Sequence, residues 1–401
     1  MKVKDVFLDG ASTSPLDRRV LKAMKPYLSQ KFVGNSSSIH DFGIRSSIAI
    51  EESRFTIAKA LGVKSEEVLF TSGATESNNW VIKSLGIRAL SESPDHTGHI
   101  ICSATEHSSV IHACRELEKL GISVTYLRGS GIDGAITRKD VRRVARSDTF
   151  LICVMALNNE TGVKNDVEDV AKYARDHKIC TLVDCTQWLS YGGEAVNIAS
   201  IFPHGDYFSF SGHKIYGPTG VGCLIARTDV KKYLTPLISG GSQEGGLRGG
   251  TSNTAGIVGL AKSIELLRKT DLSEQYEFLY NYLLDSLGSG VSLNATPYHT
   301  NIINLNFSKI FNYDNLAAVL ATYGIAVSAG SACDAEHNET LGDFHPSHVL
   351  SSLGFHEREI RNSVRVSFTK FTSIRDIDRF IKVICLLKQQ NLETETSCER
   401  D

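Results

Sequence analysis

The chain has 401 residues, of which 41% are apolar and 22% charged, enough for a large core and a second, smaller domain. Its formal net charge of −2 provides no basic field for binding a nucleic acid or an anionic membrane, so we expect neither as a direct partner. The sequence has no run of about 18 apolar residues, and charges interrupt its first ten residues too early for a signal-peptide core, so we expect a cytoplasmic protein.

From about residue 43, short apolar runs alternate with segments of helical periodicity. This pattern predicts an α/β fold whose large domain has a mostly parallel, seven-stranded sheet covered by helices. The predicted strands are Val68–Phe70, Ile100–Cys102, Val124–Leu127, Phe150–Met155, Cys180–Val183, Tyr207–Phe210 and Gly222–Ile225. The predicted helices are Ile48–Leu61, Ser77–Leu90, Val110–Leu120, Lys139–Ala145 and Val167–His177. Because ligands bind at the carboxyl ends of strands in such sheets, we expect the chemistry just after each strand.

A glycine-rich stretch at 240–251, followed by a helix over Thr254–Arg268, indicates the change of domain. We predict a large domain over residues 15–262 and a smaller α+β domain formed by 1–14 and 263–392. The elements predicted for the smaller domain are the strands Ile302–Phe307, Ile325–Ser328 and Val364–Phe368 and the helices Asn315–Tyr323 and Ile374–Lys388. Residues 393–401 are predicted to be a disordered tail.

A lysine follows the strand that ends at Phe210, among small and polar residues. An amine held at a strand end suits Schiff-base chemistry, and Ser211 and His213 beside Lys214 could bind the phosphate of the same cofactor. A lysine considered alone is more often a surface-loop residue, and only the other parts of the site favour the catalytic interpretation.

An aspartate, Asp184, ends another apolar strand thirty residues upstream. Its carboxylate could keep a pyridinium nitrogen protonated, although a helix N-cap is an equally common role for such a residue. Further upstream, a strand, a glycine turn and a helix start over Phe70–Ser77 place backbone N–H groups and the Thr75 hydroxyl together as a phosphate cradle.

A competing motif, Gly129-Ser-Gly-Ile-Asp-Gly134, matches the dinucleotide pattern G-x-G-x-x-G. It lies in mid-chain, and no helix packs directly after its glycines. We interpret it as a turn.

Nine cysteines occur without a Cys-x-x-Cys pair, so we predict no metal site. Most lie in apolar runs, as buried thiols in a reducing compartment do. Cys333 differs, because it stands between Gly330-Ser-Ala and an acidic, polar stretch.

Nine motifs follow one another between about residue 6 and residue 385. They are Leu8-Asp9 with Ala11, Gly34-Asn35 with His40, Thr71-Ser-Gly-Ala-Thr-Glu-Ser77, Thr105-Glu-His107, Asn158-Asn-Glu-Thr-Gly162, Asp184 with Gln187, Ser211-Gly-His-Lys214, Arg248-Gly-Gly-Thr251 and Gly330-Ser-Ala-Cys333. With these motifs the chain resembles the class V aminotransferase family of fold-type-I pyridoxal-phosphate enzymes, and within it the NifS/IscS-like cysteine desulfurases.

The resemblance implies pyridoxal 5'-phosphate as the cofactor, with Lys214 as its Schiff-base lysine and Asp184 as the partner of its ring nitrogen. It implies that His107 stacks on the ring and moves protons, and that Gln187 and Asn159 lie near the ring hydroxyl. The phosphate ligands that it implies are Ala74, Thr75, Ser211, His213 and, from the neighbouring subunit of a homodimer, Thr251.

For the substrate, L-cysteine, the resemblance implies Arg365 as the carboxylate clamp, with Asn159 and Asn35 nearby. It implies that Cys333 attacks the substrate sulfur, so that alanine leaves and a persulfide remains for a sulfur-acceptor protein. Iron–sulfur assembly, thionucleoside synthesis and DNA sulfur modification are all compatible with the sequence.

Two departures from the family pattern concern the acceptor. The segment Asp334–His345 is longer and more acidic than usual, and Lys370 stands where an arginine is common. We predict a mobile, acidic loop that docks a basic acceptor, with a short packed helix as the alternative. The rival functions are a selenocysteine or cysteine lyase or aminotransferase of the same family, and a catalytically silent scaffold.

Overall fold

The computed structural model describes residues 5–30, 32–92, 98–298, 301–329 and 346–398, apart from the side chains of residue 132 and of 392–398. Predictions about Cys333 and about Asp334–His345 therefore lie outside the described residues. The strands in chain order are β1 (Val6–Phe7), β2 (Val68–Thr71), β3 (His99–Ser103), β4 (Ser123–Leu127), β5 (Thr149–Cys153), β6 (Cys180–Asp184), β7 (Tyr207–Ser211), β8 (Gly222–Ala226), β9 (Ser292–Leu293), β10 (Ile302–Asn306), β11 (Ile325–Ala326) and β12 (Ser363–Ser367).

The α-helices vary in length from one turn to seven. They are α1 (Arg18–Met24), α2 (Asp41–Leu61), α3 (Ala74–Glu92), α4 (Ser108–Glu118), α5 (Arg138–Val144), α6 (Val167–Asp176), α7 (Ile198–Ile201), α8 (Thr228–Lys231), α9 (Thr254–Arg268), α10 (Ser273–Leu287), α11 (Leu316–Thr322), α12 (His348–Ser352), α13 (Glu357–Arg361) and α14 (Ile374–Cys398). None of these helices, within the described ranges, combines the length and apolar character needed to cross a bilayer.

The chain divides into two compact units. The larger consists of Ser14–Leu157 and Asn165–Asp271, and the smaller of Met1–Thr13, Asn158–Lys164 and Leu272–Asp401. The short segment 158–164 therefore belongs to the smaller unit, although the residues before and after it in the chain belong to the larger one. The boundaries predicted from the sequence had included this segment in the larger domain.

The larger unit is built on a seven-stranded sheet with the order β2-β8-β7-β6-β5-β3-β4. All neighbouring strands are parallel except β8, which is antiparallel to both β2 and β7. Each of the seven predicted strands is present, and the mostly parallel α/β fold is confirmed. Every residue of β3, β7 and β8 is buried, as expected for strands covered by helices on both faces.

The helices α3 and α4 pack on this sheet through a shared apolar core that includes Trp80, Leu85 and Leu117. Gly86 in α3 permits the close approach, because a Cβ at that position would lie 2.4 Å from a methyl carbon of Leu117. The stretch Gly129–Gly134 contains a 3-10 turn rather than the start of an α-helix, which confirms the interpretation as a turn.

The smaller unit contains the antiparallel sheet β12-β10-β9 and the parallel pair β1 and β11. Helix α10, absent from the sequence analysis, has a buried apolar face at Tyr276, Leu279, Leu283 and Leu287. Helix α14 continues to Cys398, where the sequence predicted a disordered tail from residue 393, and no glycine or proline interrupts it between Ile374 and Cys398. Residues 399–401 lie outside the described part of the chain.

Candidate active site

Two neighbouring parallel strands of the larger unit end at the same edge of the sheet. Asp184, the last residue of β6, pairs with Ser209 of β7. Lys214 lies in a 3-10 turn, Gly212–Lys214, that directly follows β7, and its side chain is half-buried. Burial and the Lys214 charge lower the pKa of His213 to about 4, so this imidazole stays neutral at physiological pH. The structure thus places a carboxylate and an amine at neighbouring strand ends, as the sequence predicted.

The Asp184 carboxylate is buried and held by two donors. Asn78 Nδ2 donates to its Oδ2 over 2.9 Å, and the Thr186 N–H donates to its Oδ1 over 2.9 Å. Asn78 is in turn oriented by Ser209, whose hydroxyl donates to Asn78 Oδ1 over 2.6 Å. Because each carboxylate oxygen has two lone pairs, Asp184 retains capacity for a further donor.

His107 is the N-cap residue of α4, and its Nδ1 accepts the Ser109 N–H over 3.2 Å. A ring nitrogen that accepts this bond carries no proton in the neutral ring, so Nε2 carries it. The Ser109 hydroxyl lies 2.9 Å from the same Nδ1 and 3.0 Å from Asn78 Nδ2. Asn78 and Ser109 therefore connect His107 with Asp184.

Glu106, immediately before His107, is fully buried and accepts the Met155 N–H over 2.6 Å. Burial, together with the nearby charge of Asp184, raises the pKa of Glu106 well above its usual value. A neutral Glu106 carboxyl group thus links the loop that carries His107 to Met155, two residues after the end of β5.

The predicted phosphate cradle lies where β2 ends and α3 begins. The Ala74 N–H, in the first turn of α3, donates to Ser211 Oγ over 2.8 Å. Thr75 is exposed on the same turn. Free N–H groups at a helix start favour an anion, and Ser211 brings the end of β7 to that point.

Two predicted residues lie at the surface of the larger unit. Asn35 is exposed, and no contact of its side chain with the other predicted residues is described. Thr251 is also exposed and lines a cavity of about 230 Å³ with Thr71, Ser72 and Arg248.

In the smaller unit, Arg365 is 1% exposed and is held by several oxygens. Its Nη2 donates to Asp9 Oδ1 over 2.7 Å, to Ser12 Oγ over 2.7 Å and to Ser328 Oγ over 3.1 Å. Its Nη1 donates to the Asn159 carbonyl over 3.0 Å. Among the described residues, none accepts a hydrogen bond from the buried Nε. The structure therefore joins Arg365 to the backbone of Asn159, and Nε retains an N–H for another acceptor.

Residues 6–380 match the family model for class-V aminotransferases. The chain belongs to the class-V aminotransferase family. It is 39% identical over 387 residues to the protein "Cysteine desulfurase IscS" of Dictyoglomus turgidum, covering 95% of this chain and 94% of that protein. Among solved structures, a "NifS-like protein" has a TM-score of 0.81 and 31% identity, covering 95% of this chain and 98% of that one. The structure "SspA in complex with cysteine" has a TM-score of 0.78 and 35% identity, covering 92% and 100% of the two chains. The resemblance drawn from the sequence is confirmed.

Membership of the class-V aminotransferases implies pyridoxal phosphate, and the donor and acceptor set of the larger unit fits this group. Asp184 can accept a ring N–H, and Ser211 with the start of α3 can donate to a phosphate. In addition, the buried Thr186 Oγ1, between Asp184 and the buried Gln187, has no hydrogen-bond partner among the described residues. Such an atom is expected where a ligand completes the bonding.

Sequence reasoning missed the residues that support the predicted ones. Asn78, Ser109 and Ser209 hold Asp184 and His107, and Ser12 and Ser328 hold Arg365. Asn78 lies one residue after the motif Thr71–Ser77. The signal that could have identified it is a polar residue on the buried face of a helix.

Proposed function

We propose that the protein is a pyridoxal-phosphate-dependent cysteine desulfurase that converts L-cysteine to L-alanine and forms a persulfide on Cys333. The observation that carries this proposal is the pair of Asp184 and Lys214 at the ends of neighbouring parallel strands, beside a helix start suited to a phosphate. A cytoplasmic location, expected from the sequence, is part of the proposal.

In this proposal, residues of the larger unit hold the cofactor and move protons. Pyridoxal phosphate, when bound, supplies an electron sink that makes the α-proton of an amino acid removable. Asp184, oriented by Asn78 and Thr186, accepts the N–H of the ring and keeps it protonated. Lys214 would hold the cofactor through its amine and would supply the base that takes the α-proton. His107, whose Nδ1 accepts the Ser109 N–H, would offer the proton on its Nε2 to the reacting groups.

Residues of the smaller unit bind the substrate carboxylate and take the sulfur. Arg365 suits the first task, because its guanidinium presents a planar set of donors and its Nε still has an N–H to donate. For the second, the Cys333 thiolate attacks the substrate sulfur, so that an S–S bond forms while the C–S bond breaks. The electron pair of the C–S bond remains on the substrate carbon, which takes up a proton and becomes the methyl group of alanine. No external oxidant or reductant is needed.

Two substitutions test this assignment. Lys214→Ala should remove both the visible absorbance of the bound cofactor and turnover. Cys333→Ser should keep the absorbance but release neither alanine nor sulfide from L-cysteine, since a hydroxyl cannot accept sulfur in this way. The matched controls are Lys139→Ala and Cys385→Ser, which alter exposed residues of the same types. If Cys333→Ser released alanine at the parental rate, the protein would be a lyase or aminotransferase of the family instead.

We further propose a homodimer whose active site takes Thr251 from the neighbouring subunit. Helix α2 exposes Ile44, Ile48 and Phe55 to about half or more of their surface, and their spacing places them on one helix face. Large apolar side chains grouped at a surface commonly mark an interface.

A mixing experiment distinguishes a shared site from a self-contained one. A dimer of one Lys214→Ala subunit and one Thr251→Asp subunit should contain one intact site if Thr251 acts across the interface. Unfolding and refolding the two inactive variants together should then restore about a quarter of the parental activity by random pairing. No recovery, despite dimer formation, would place Thr251 in the site of its own chain.

The kind of sulfur acceptor is inferred from the acidic residues that follow Cys333 in the sequence. The residues between Cys333 and Pro346 include Asp334, Glu336, Glu339 and Asp343, which suit a protein with a basic docking face. Reversing the charges of Glu336, Glu339 and Asp343 should slow transfer to the acceptor but leave alanine formation with a small thiol unchanged. Equal slowing of both reactions would place these residues in the catalytic step.

A further inference from the structure

A buried carboxylate of the smaller unit has no part in the chemistry described above. Glu160 is fully buried, and its Oε2 accepts the hydroxyl proton of Ser347 over 2.5 Å. Its own backbone carbonyl accepts Asn304 Nδ2, in β10, over 3.1 Å. Burying a carboxylate is costly, so one retained in this place requires a reason.

The segment that carries Glu160 is fixed to the smaller unit from several sides. The Asn158 side chain accepts the Glu160 N–H and the Thr161 N–H, each over 2.9 Å, which closes a tight turn. Gly162 ends that turn at a φ of +72°, and a Cβ there would lie 2.5 Å from the Ile302 carbonyl oxygen. The position of the Glu160 carboxylate is therefore set by a rigid turn.

Ser347, the partner of Glu160, begins a helix. It is the N-cap of α12, where its Oγ accepts the Leu350 N–H over 3.1 Å. One hydroxyl thus donates to Glu160 and accepts from the helix. Loss of the carboxylate would remove the contact that fixes this hydroxyl and the start of α12.

The contact between Glu160 and Ser347 lies close to Cys333 in the sequence. Ser347 lies fourteen residues after Cys333, and Ser328 lies five residues before it. Ser328 is held by Arg365 through two backbone hydrogen bonds, of 2.7 Å and 3.3 Å, and by Asp9 through its side chain over 2.9 Å. Arg365 also binds the carbonyl of Asn159, the residue before Glu160. Both flanks of the Cys333 segment are thus attached to one connected polar network.

We propose that Glu160 is a positioning residue for sulfur transfer, which fixes the downstream flank of the Cys333 segment through Ser347. This inference rests on the proposed function, since it requires Cys333 to be the sulfur acceptor. A nucleophile reacts faster when the chain that carries it is anchored, so we expect the rate of sulfur transfer to depend on the anchor at Ser347. Substrate binding depends on Arg365 instead and is left unaltered.

The test separates binding from sulfur transfer. Glu160→Leu and Ser347→Ala should each slow the single-turnover formation of the Cys333 persulfide about tenfold, the scale of leaving one buried hydrogen-bonding group without its partner. The dissociation constant of L-alanine, measured by the spectral change of the cofactor, should change less than about twofold, because alanine has no sulfur to transfer. In the cofactor-free protein, amide exchange of peptides that cover α12 should become faster in both variants.

Three controls keep the result interpretable. Glu160→Gln retains an acceptor for Ser347 and should transfer sulfur within about threefold of the parental rate. This variant can be measured even if Glu160→Leu fails to fold. Ser347→Thr retains the hydroxyl and should behave likewise. Asn315→Ala removes the N-cap of α11, whose Oδ1 accepts the Ala318 N–H over 3.1 Å, in the same unit but without contact to Glu160. It should leave the persulfide rate unchanged.

The failures of the two proposals are distinguishable. If the parental protein forms no persulfide on Cys333, the proposed function is wrong, whatever the Glu160 variants do. If the parental protein forms it and both Glu160→Leu and Ser347→Ala match its rate, the inference about Glu160 is wrong and the proposed function stands. Equal losses in alanine binding and in sulfur transfer would also overturn it, because they would show that Glu160 supports the substrate site.

Discussion

Replacing Asn78 by alanine should weaken both the fold of the larger unit and its hold on the cofactor. The Asn78 side chain makes three hydrogen bonds, one to the charged Asp184 and one each to Ser109 and Ser209. A hydrogen bond to a charged group contributes about 1.5–3 kcal/mol and a neutral one about 1 kcal/mol, and such contributions do not add fully. We therefore expect a loss of about 3 kcal/mol in the free energy of unfolding and a fall of about 5–10 °C in the melting temperature.

The assay is a titration of the cofactor-free protein with pyridoxal phosphate, followed by its absorbance. Without Asn78, the Oδ2 of Asp184 loses the donor that orients it, and we expect the affinity to fall about tenfold. Asn78→Asp keeps the shape but sets a second carboxylate against Asp184, so it should weaken binding further. Ser84→Ala is the matched control, since Ser84 is a buried hydroxyl on the same helix that contacts Thr235 instead. Unchanged affinity in Asn78→Ala would refute the role assigned to this network.

Three further substitutions test other parts of the structure. Because the pKa of Glu106 is raised, the group is protonated in the fold and ionised in the unfolded chain above about pH 4.5, and its contribution to stability is lost as the pH rises. Thermal unfolding of the cofactor-free protein should show Glu106→Gln gaining stability relative to the parent as the pH rises from about 5 to about 8, above the usual pKa of a glutamate. A difference in stability that stays constant with pH would refute the raised pKa. Glu244→Gln breaks a largely buried bidentate ion pair with Arg54 (2.8 and 2.9 Å) and should cost about 3 kcal/mol in chemical denaturation. A loss under 1 kcal/mol, about the worth of an exposed pair, would contradict the argument from burial. Gly162→Ala should lower the melting temperature more than Gly220→Ala, since both have positive φ but only Gly162 has backbone within 4 Å of the added methyl; equal effects would mean that crowding plays no part.

The sequence predicted the sheet of the larger unit well because its strands are buried on both faces and read as short apolar runs between helices. Helix α10 was predictable too, from the helical spacing of its apolar residues Tyr276, Leu279, Leu283 and Leu287. The helical end of α14 was obscured by polar residues, whose composition resembles a tail although none of them breaks a helix.

The candidate site was predictable where a motif contains the residue, and unpredictable where the residue supports another from a distance. Asp184 and Lys214 were recognisable as polar residues just after apolar strands. The partner of Asp184, Asn78, is 106 positions away, and Asp9 is 356 positions from Arg365. No spacing rule connects such pairs, because the topology of the folded chain alone decides which side chains meet.

Arg365 has a structural role in the fold and, in the proposed function, a binding role as well. Its pairing with Asp9 compensates a buried charge in the fold, and Ser12 and Ser328 crowd the same Nη2. The Nε–H, by contrast, is buried without an acceptor among the described residues, at a cost of about 1–3 kcal/mol if nothing binds it. In the proposed function the substrate carboxylate accepts this N–H, and its binding would recover that cost. If Arg365 binds the substrate as proposed, Arg365→Lys should weaken that binding even where it preserves the ion pair, because a lysine has the charge but not the planar set of donors.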